Sequence, residues 1–442
     1  ARCPGTWESS GAKVRSVLGV YKRAHGDLVQ KGNPPLNLIN ITDSVKEAHM
    51  MMSIADLDLC GKRVFIRADL NVPFDKNGQI ADDNRITASL DTISLALEKG
   101  AKVILASHLG RPDGKRVESF SLAPVGKRIA ELLSRKVTLA PDCIGPETQA
   151  LADNLQAGEI LLLENLRFHA EEEENDPAFS QQLANLCDVY VDDAFATAHR
   201  AHASTEGMAH LVSVKGAGLT VQREMDYFNK AFVNPKRPLV ALLGGAKITT
   251  KIKVIRNLAK KADVILIGGA MANTFIAAQG YEVGRSLYEA EQVETAKSLI
   301  NDLRGSSCSL IIPDDVLVAS EFTATADKRV CLSNQIPAGF LAVDIGEQTI
   351  AQFRSEILKA GTVIWNGPMG AFEIEGFDKG TMAMVNALAD SSALTVVGGG
   401  DTDLAIHKSG RISSIDYVST AGGAFLKLME GAKLPAIQAL ES

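Results

Sequence analysis

Several things are missing from this 442-residue chain, and each absence removes a class of function. No apolar run approaches the ~18–20 residues of a membrane span, so none is expected. Basic residues are not in excess. The formal net charge is −7, which argues against general nucleic-acid binding because that requires a basic face. The six cysteines (Cys3, Cys60, Cys143, Cys187, Cys308 and Cys331) are scattered with no CxxC pair. Metal-ligand spacing is therefore absent, a disulfide framework is not expected in a chain this large, and reduced cytosolic thiols are the expectation. His199 and His202 have a suggestive spacing, yet no carboxylate or cysteine motif completes them. Standard nucleotide fingerprints are also lacking. GxxxxGK(S/T) does not occur, and GGAKIT at Gly244–Thr249 resembles it only superficially. VGGGDTD at Val397–Asp403 lacks the third glycine of GxGxxG, which disfavours a nicotinamide-dependent oxidoreductase.

What is present is a globular composition, 46% hydrophobic and 22% charged, over a length that suggests two domains or three. Residues 1–51 stand apart, with seven Lys/Arg against four Asp/Glu and no sustained periodicity. A transit peptide would be poorer in acids than Glu8, Asp27, Asp43 and Glu47 allow. A foreign remnant or a mis-called start, with Met52 the initiator, fits the run Met50–Met52 better, and a functional arm is the third reading. The extension is left out of the fold, as disordered or non-native.

From Ile54 the chain alternates β-branched runs with amphipathic stretches. KRVFIRADLNV, AKVILASHLG, GEILLLENLRF and CDVYVDDAF read as strands in the first half. RPLVALLGG, ADVILIGGA, CSLIIPDDV, GTVIWNGP and ALTVVGGGD repeat the pattern in the second. Intervening helices such as ASLDTISLALEKG make βαβ units. The fold class is α/β: two doubly wound, Rossmann-like parallel-sheet domains. The amphipathic run GLTVQREMDYFNKAFVNPKRP, stopped at Asn234-Pro235, is expected to be the helix that joins them. The boundaries are 52–217 for the first domain, 218–234 for the connecting helix and 235–423 for the second domain. The acidic run Glu171–Glu174 reads as a solvated turn.

In such sheets ligands bind beyond the carboxyl ends of the strands, and every polar motif here lies at the end of an apolar run. The first half ends its runs in arginines: Arg67 in RADLNVP, Arg111 in SHLGRP, Arg167 in ENLRF and Arg200 in AHRAH. Guanidinium forks suit a small multivalent anion. Arg67, Asp69 and Asn71 alternate along one face of a strand end, as a pocket rim would. Arg85 precedes a helix, where it serves either local helix-start chemistry or an anion. The second half ends its runs in glycines: LGGAK, IGGA, WNGP and VGGGDT. Their backbone N–H groups can approach a nucleotide closely. Two lobes and two ligands, with a phosphoryl group passed between them, account for the division.

The ordered strings RVFIRADLNVP, SHLGRP, ENLRFH, DAFATAHRAHAST, LGGAKITTK, GGAMANTF, WNGPMGAFE, GGGDT and STAGGA closely resemble the phosphoglycerate kinase family, over about Ser53 to Ser442. The resemblance implies a bilobed hinge kinase. It would transfer a phosphoryl group reversibly between 1,3-bisphosphoglycerate and ADP, giving 3-phosphoglycerate and Mg-ATP. It places Asp69, Leu70, Asn71, Arg85, His108, Leu109, Gly110, Arg111, Arg167 and Arg200 at the 3-phosphoglycerate, with Arg67 in support. Gly245, Ala246, Lys247, Lys251, Gly268, Asn366, Pro368, Glu373, Gly399, Gly400, Asp401 and Thr402 would form the nucleotide site, with Asp401 towards Mg²⁺ and Glu373 towards the ribose. Arg85, Lys247, Gly400 and Gly423 would act on the moving phosphoryl group. The tail 424–442 would return to the first domain. A cytoplasmic monomer is implied, organellar only if residues 1–51 are a transit peptide. A carboxylate nucleophile is ionised at pH 7, so the absence of Ser-His-Asp and Cys-His constellations is expected. One departure is Ala421, where the family's STGGGA has glycine. A φ above zero there would cost of order 1 kcal/mol, and a negative φ is expected. The competing reading is a catalytically silent phosphometabolite- or nucleotide-binding protein, which would have lost a charge at Arg85, Lys247 or Asp401.

Overall fold

Two six-stranded parallel sheets organise the chain in a computed structural model that describes residues 51–419 and 421–442. The expectations for residues 1–50 and for Thr420 lie outside the described residues. The first sheet contains β1 (Arg63–Ala68), β2 (Lys102–Ala106), β3 (Val137–Leu139), β4 (Ile160–Leu162), β5 (Val189–Asp193) and β6 (Lys215–Ala217). Their order is β3-β4-β2-β1-β5-β6. The second sheet draws on β7 (Leu239–Leu243), β8 (Val264–Ile267) and β9 (Ser309–Ile311). A separate antiparallel sheet follows, made of β10 (Asp315–Ala319), β11 (Lys328–Leu332) and β12 (Leu341–Ile345). Then β13 (Thr362–Asn366), β14 (Leu394–Gly398) and β15 (Tyr417–Ser419) complete the second parallel sheet, in the order β15-β14-β13-β7-β8-β9.

The near-continuous apolar runs are what a sheet covered on both faces requires. Period-2 alternation divides each strand between two cores. In β1, Phe65 enters one core while Val64 and Ile66 enter the other. In β7, Leu239, Ala241 and Leu243 face one side and Val240 and Leu242 the other. The segment CSLIIPDDV is corrected from one strand to two. Pro313 lacks a ladder donor, so β9 ends before it and β10 begins in a different sheet.

The helix Leu219–Phe228 continues into a π-helical turn, Asn229–Val233, between the two sheets. Its first turn is anchored at the end of β5, where Thr220 N donates to Asp193 Oδ1 at 2.8 Å. Further along, buried Glu224 accepts from Ser419 Oγ of β15 at 2.9 Å, and Tyr227 stacks on Tyr417 at 4.3 Å. Burial pushes both the Asp193 and Glu224 carboxyls up to about 7. After the second lobe, the helix Pro435–Glu441 packs on the first: Leu434, Ile437 and Leu440 share a core with Phe195 and Met208.

Among the described residues, no helix is long and apolar enough to cross a membrane. Cys143, Cys187, Cys308 and Cys331 are free thiols.

Candidate active site

The first lobe gathers its cations where β1, β2, β4 and β5 end. Arg67 is only 1% exposed, which corrects its reading as a rim residue. Its Nε donates to Ser204 Oγ at 2.8 Å and its Nη2 to His108 Nδ1 at 3.2 Å. Ser204 Oγ donates in turn to Glu172 Oε1 at 2.6 Å. Because a guanidinium can only donate, His108 Nδ1 accepts, which leaves the proton on Nε2. Burial first, then Arg67, Arg167 and Arg85, hold His108 well below the usual imidazole range. Glu172 is fully buried within the helix Ala170–Glu174. The reading of Glu171–Glu174 as a solvated turn is therefore wrong at its second residue, because Arg67 and Ser204 recruit that carboxylate inward.

Arg85 Nη1 stands 2.8 Å from Asp69 Oδ2. Asn71 Oδ1 accepts from Gly110 N at 2.9 Å, and the Gly110 carbonyl accepts from Arg167 Nη1 at 3.0 Å. Gly110 has φ +62°, and a Cβ there would stand 2.3 Å from the Phe120 ring, so only glycine fits. Arg167 is buried, yet its Nε and Nη2 have no hydrogen-bond acceptor among the described residues; Glu173 lies 3.2 Å from Nη2 in ion-pair range. Donors left open on a buried guanidinium need an anion. Arg111 is exposed, and half-buried Arg200 donates from Nε to His199 Nε2 at 3.3 Å. The side chains of Leu70 and Leu109 lie in the core. Their backbones hold the loops: Leu70 N donates to Ser107 Oγ, and Asn165 bridges Leu109 N and O. Sequence reasoning gave no site role to Asn165, Ser204 or Glu172, although the strings ENLRFH and DAFATAHRAHAST contain the first two and the acidic run Glu171–Glu174 the third.

The second lobe builds its cleft from glycine turns. Helices Gly400–Ser409 and Gly422–Met429 both start without a side-chain cap among the described residues, which leaves their first N–H groups available. Both N-termini line a cleft of about 350 Å³, together with Lys247, Lys251, Asn366, Pro368, Asp401 and Thr402. Such termini favour an anion through open donors and the helix dipole. Lys251 Nζ donates to Asn366 Oδ1, and Asn366 Nδ2 donates to Gly398 O at 2.6 Å. Thr402 Oγ1 accepts from Gly367 N at 2.8 Å, so this hydroxyl braces the opposite turn. Burial pushes the Lys251 ammonium down to about 8, opposed by nearby Asp401. Lys247 is exposed on the rim.

A larger pocket of about 650 Å³ adjoins the cleft and shares Gly245, Ala246, Pro368 and Asp401 with it. Leu287, Phe322, Leu341 and Val343 give it apolar walls, and Glu373 lies at its lining. Gly269 and Ala270 line it; Gly268 is packed under Met369 instead, where a Cβ would stand 2.4 Å from Sδ.

The two halves meet along the helix Gly422–Met429, whose Ala424 and Leu428 share a core with Phe195 and Ala198 of the first. Asp69 and Arg85 share a small pocket with Glu224 and Ala421. His199 lies over Gly423, where a Cβ would stand 3.2 Å from its ring. Ala421 has φ −106°, as expected, so the missing glycine brings no backbone strain, and its N–H donates to Ser419 Oγ at 3.3 Å. His199 and His202 belong to no cluster of three metal-ligating side chains among the described residues.

A sequence model of the family described as phosphoglycerate kinase matches residues 54–432. A phosphoglycerate kinase from Geobacter sp. (strain M21) is 50% identical over 394 residues, covering 88% of this chain and 99% of the relative. One from Solibacter usitatus is 54% identical over 394 residues, with the same coverage. The solved structure of phosphoglycerate kinase from Coxiella burnetii superposes with a TM-score of 0.83 at 43% identity, covering 88% of this chain and 98% of that one. That of the Pyrococcus horikoshii enzyme gives 0.75 at 32% identity, with the same coverage.

Proposed function

This chain belongs to the phosphoglycerate kinase family, phosphotransferases with a carboxyl acceptor, and from that premise we propose how its two lobes divide the work. The observation that carries the division is the pairing of two kinds of open donor. Among the described residues, buried Arg167 has Nε and Nη2 without a hydrogen-bond acceptor in the first lobe, and two helix N-termini with no side-chain cap share one cleft in the second.

The arginine cluster holds 3-phosphoglycerate. Arg167, Arg200 and Arg111 take its phosphate and carboxylate charge, neutral His108 donates from Nε2, and Asp69 and Asn71 set the loops. The apolar pocket takes the nucleotide base, Glu373 faces the ribose, and the glycine cleft takes the phosphates. Asp401 offers a hard carboxylate oxygen beside that cleft. This fits Mg²⁺, which is commonly held by one or two carboxylates plus phosphate oxygens. When bound with nucleotide, the ion neutralises charge on the phosphates.

In the forward direction the acyl-phosphate P–O bond of 1,3-bisphosphoglycerate breaks as a terminal ADP oxygen bonds to the phosphorus. The carboxylate leaves already ionised, so no proton needs moving. The protein's contribution is alignment, charge compensation and exclusion of water. Arg85 supplies compensation from one lobe, Lys247 and the N–H groups of Gly400 and Gly423 from the other. Both ligand sites are completed within one chain, which supports a monomer. The multiply charged glycolytic substrates do not cross membranes unaided, which supports action in the cytoplasm. The test is ATP consumption by the full chain, which should require both 3-phosphoglycerate and Mg²⁺. Binding of both ligands without turnover would overturn the reading in favour of a catalytically silent binding protein.

Lys251 gives this reading a pH signature. Its pKa is depressed in the folded chain, so the free protein gains stability as pH rises from about 8 towards the unfolded value near ~10.4. Nucleotide phosphates favour the charged form, so binding should take up a proton near pH 8. ADP affinity is expected to fall roughly three- to tenfold between pH 7 and 9. Calorimetry in buffers of different ionisation enthalpy measures both effects, and Lys251→Met should flatten them. A slope unchanged in that variant would remove Lys251 from the phosphates.

A further inference from the structure

Strands β3 and β4 are parallel neighbours at the outer edge of the first sheet, so the loops that follow them meet. The loop after β3 carries Asp142 and Cys143. The turn after β4 carries His169, which starts the helix Ala170–Glu174. One carboxylate oxygen, the Cys143 Sγ and one imidazole nitrogen all lie within 4.8 Å of one another. None of these residues belongs to the arginine cluster or to the nucleotide cleft. We infer that Asp142, Cys143 and His169 form a zinc site.

The donor chemistry selects the ion. A thiolate, an imidazole and a carboxylate suit Zn²⁺, whereas Mg²⁺ requires oxygen ligands throughout. Ligands of a tetrahedral zinc stand roughly 3.3–3.7 Å apart, given bonds of about 2.0–2.3 Å. His169 Nε2 and Asp142 Oδ1 are 2.7 Å apart, held by one shared proton. Zinc takes the place of that proton and spreads the pair by less than about 1 Å. The charges also close: thiolate, carboxylate and neutral imidazole against a dication leave a neutral centre.

The surroundings are those of a fixed site rather than a loose loop. Thr148 Oγ1 donates to Asp142 O at 2.9 Å, Arg116 Nη1 donates to Pro141 O at 2.6 Å, and the His169 ring packs 5.3 Å from Phe179. Cys143 is fully buried, while the Asp142 and His169 side chains are partly exposed, leaving an outward position for a water as fourth ligand. The ion would clamp the two post-strand loops, one of which bears Arg167 two residues before His169.

The test is titration of the chelator-treated full chain with Co²⁺, followed by competition with Zn²⁺. One equivalent should bind with a thiolate-to-cobalt charge-transfer band, Zn²⁺ should displace it, and Mg²⁺ should not. Cys143→Ser should abolish the band. His169→Ala should weaken Zn²⁺ binding by more than about 100-fold, beyond what a change outside the ligand set costs. Circular dichroism establishes that each variant is folded. If Cys143→Ser fails to fold, the partly exposed His169 and Asp142→Asn carry the test. Absence of the band in the wild-type chain, or a band unchanged in Cys143→Ser, overturns the site and leaves a hydrogen-bonded Asp–His pair.

Discussion

Replacing Arg85 with alanine is expected to lower turnover by about 10³-fold while changing nucleotide affinity by less than about threefold. The asymmetry follows from where the side chain sits. Arg85 is tied to Asp69 at 2.8 Å and reaches the pocket that Ala421 of the second lobe also lines, away from the apolar pocket proposed for the nucleotide. On that proposal it contributes where charge moves between the ligands and little where ADP rests. Arg85→Lys should recover only part of the loss, because a point charge replaces a planar fork. Steady-state kinetics with ADP binding measured separately decides the matter. A turnover change under about threefold would sink the role.

Removal of Arg67 should be the most damaging change to stability. Arg67→Ala is expected to cost about 3–5 kcal/mol, because it strands Glu172 in the core without its cation and leaves Ser204 and His108 without their donor. Protonation of Glu172 can relieve part of that cost. Since burial already raises the Glu172 carboxyl, the folded variant would hold its proton to a higher pH than the unfolded chain. The loss should accordingly be smaller near pH 5 than near pH 8. Adding Glu172→Leu to Arg67→Met should restore much of the deficit, as replacing both partners of a buried pair usually does. Urea unfolding of the single and double variants measures this. A single-variant loss below about 1 kcal/mol would mean that the network is not the support described here.

Both proposals show where the sequence was readable and where it was not. The long central strands were legible because burial on both faces leaves unbroken apolar runs. Three-residue strands such as β3, β6 and β15 carry too little pattern to stand out, as VTL, KGA and YVS illustrate. The antiparallel insertion was hidden because β9 and β10 are separated by only a few residues around Pro313. That insertion also supplies Leu341 and Val343 to the apolar pocket, so the pocket's walls were hidden with it. Among the polar residues, the arginines, the glycines and Asp401 were visible as types placed at strand ends. Arg67 was misjudged because strand alternation gives a face but not a depth. Glu172 was misjudged because four consecutive acids look solvated whichever one turns inward. The Asp142–Cys143–His169 cluster was invisible for a related reason: its members converge only because β3 and β4 are neighbours, a pairing that no local spacing encodes.

The packing of the helix Pro435–Glu441 on the first lobe has a consequence for synthesis. A ribosome completes β1–β6 long before it reaches Leu434, Ile437 and Leu440, so the first lobe emerges with part of its apolar core still missing. Domains made in sequence ordinarily close in sequence, the earlier one first. Here the earlier lobe has to wait for residues translated after the whole of the later one. The apolar core of the first lobe is therefore complete only once the second lobe has been made. A nascent chain arrested before residue 434 would carry a first lobe whose core still lacks those three side chains, however well its second lobe had folded.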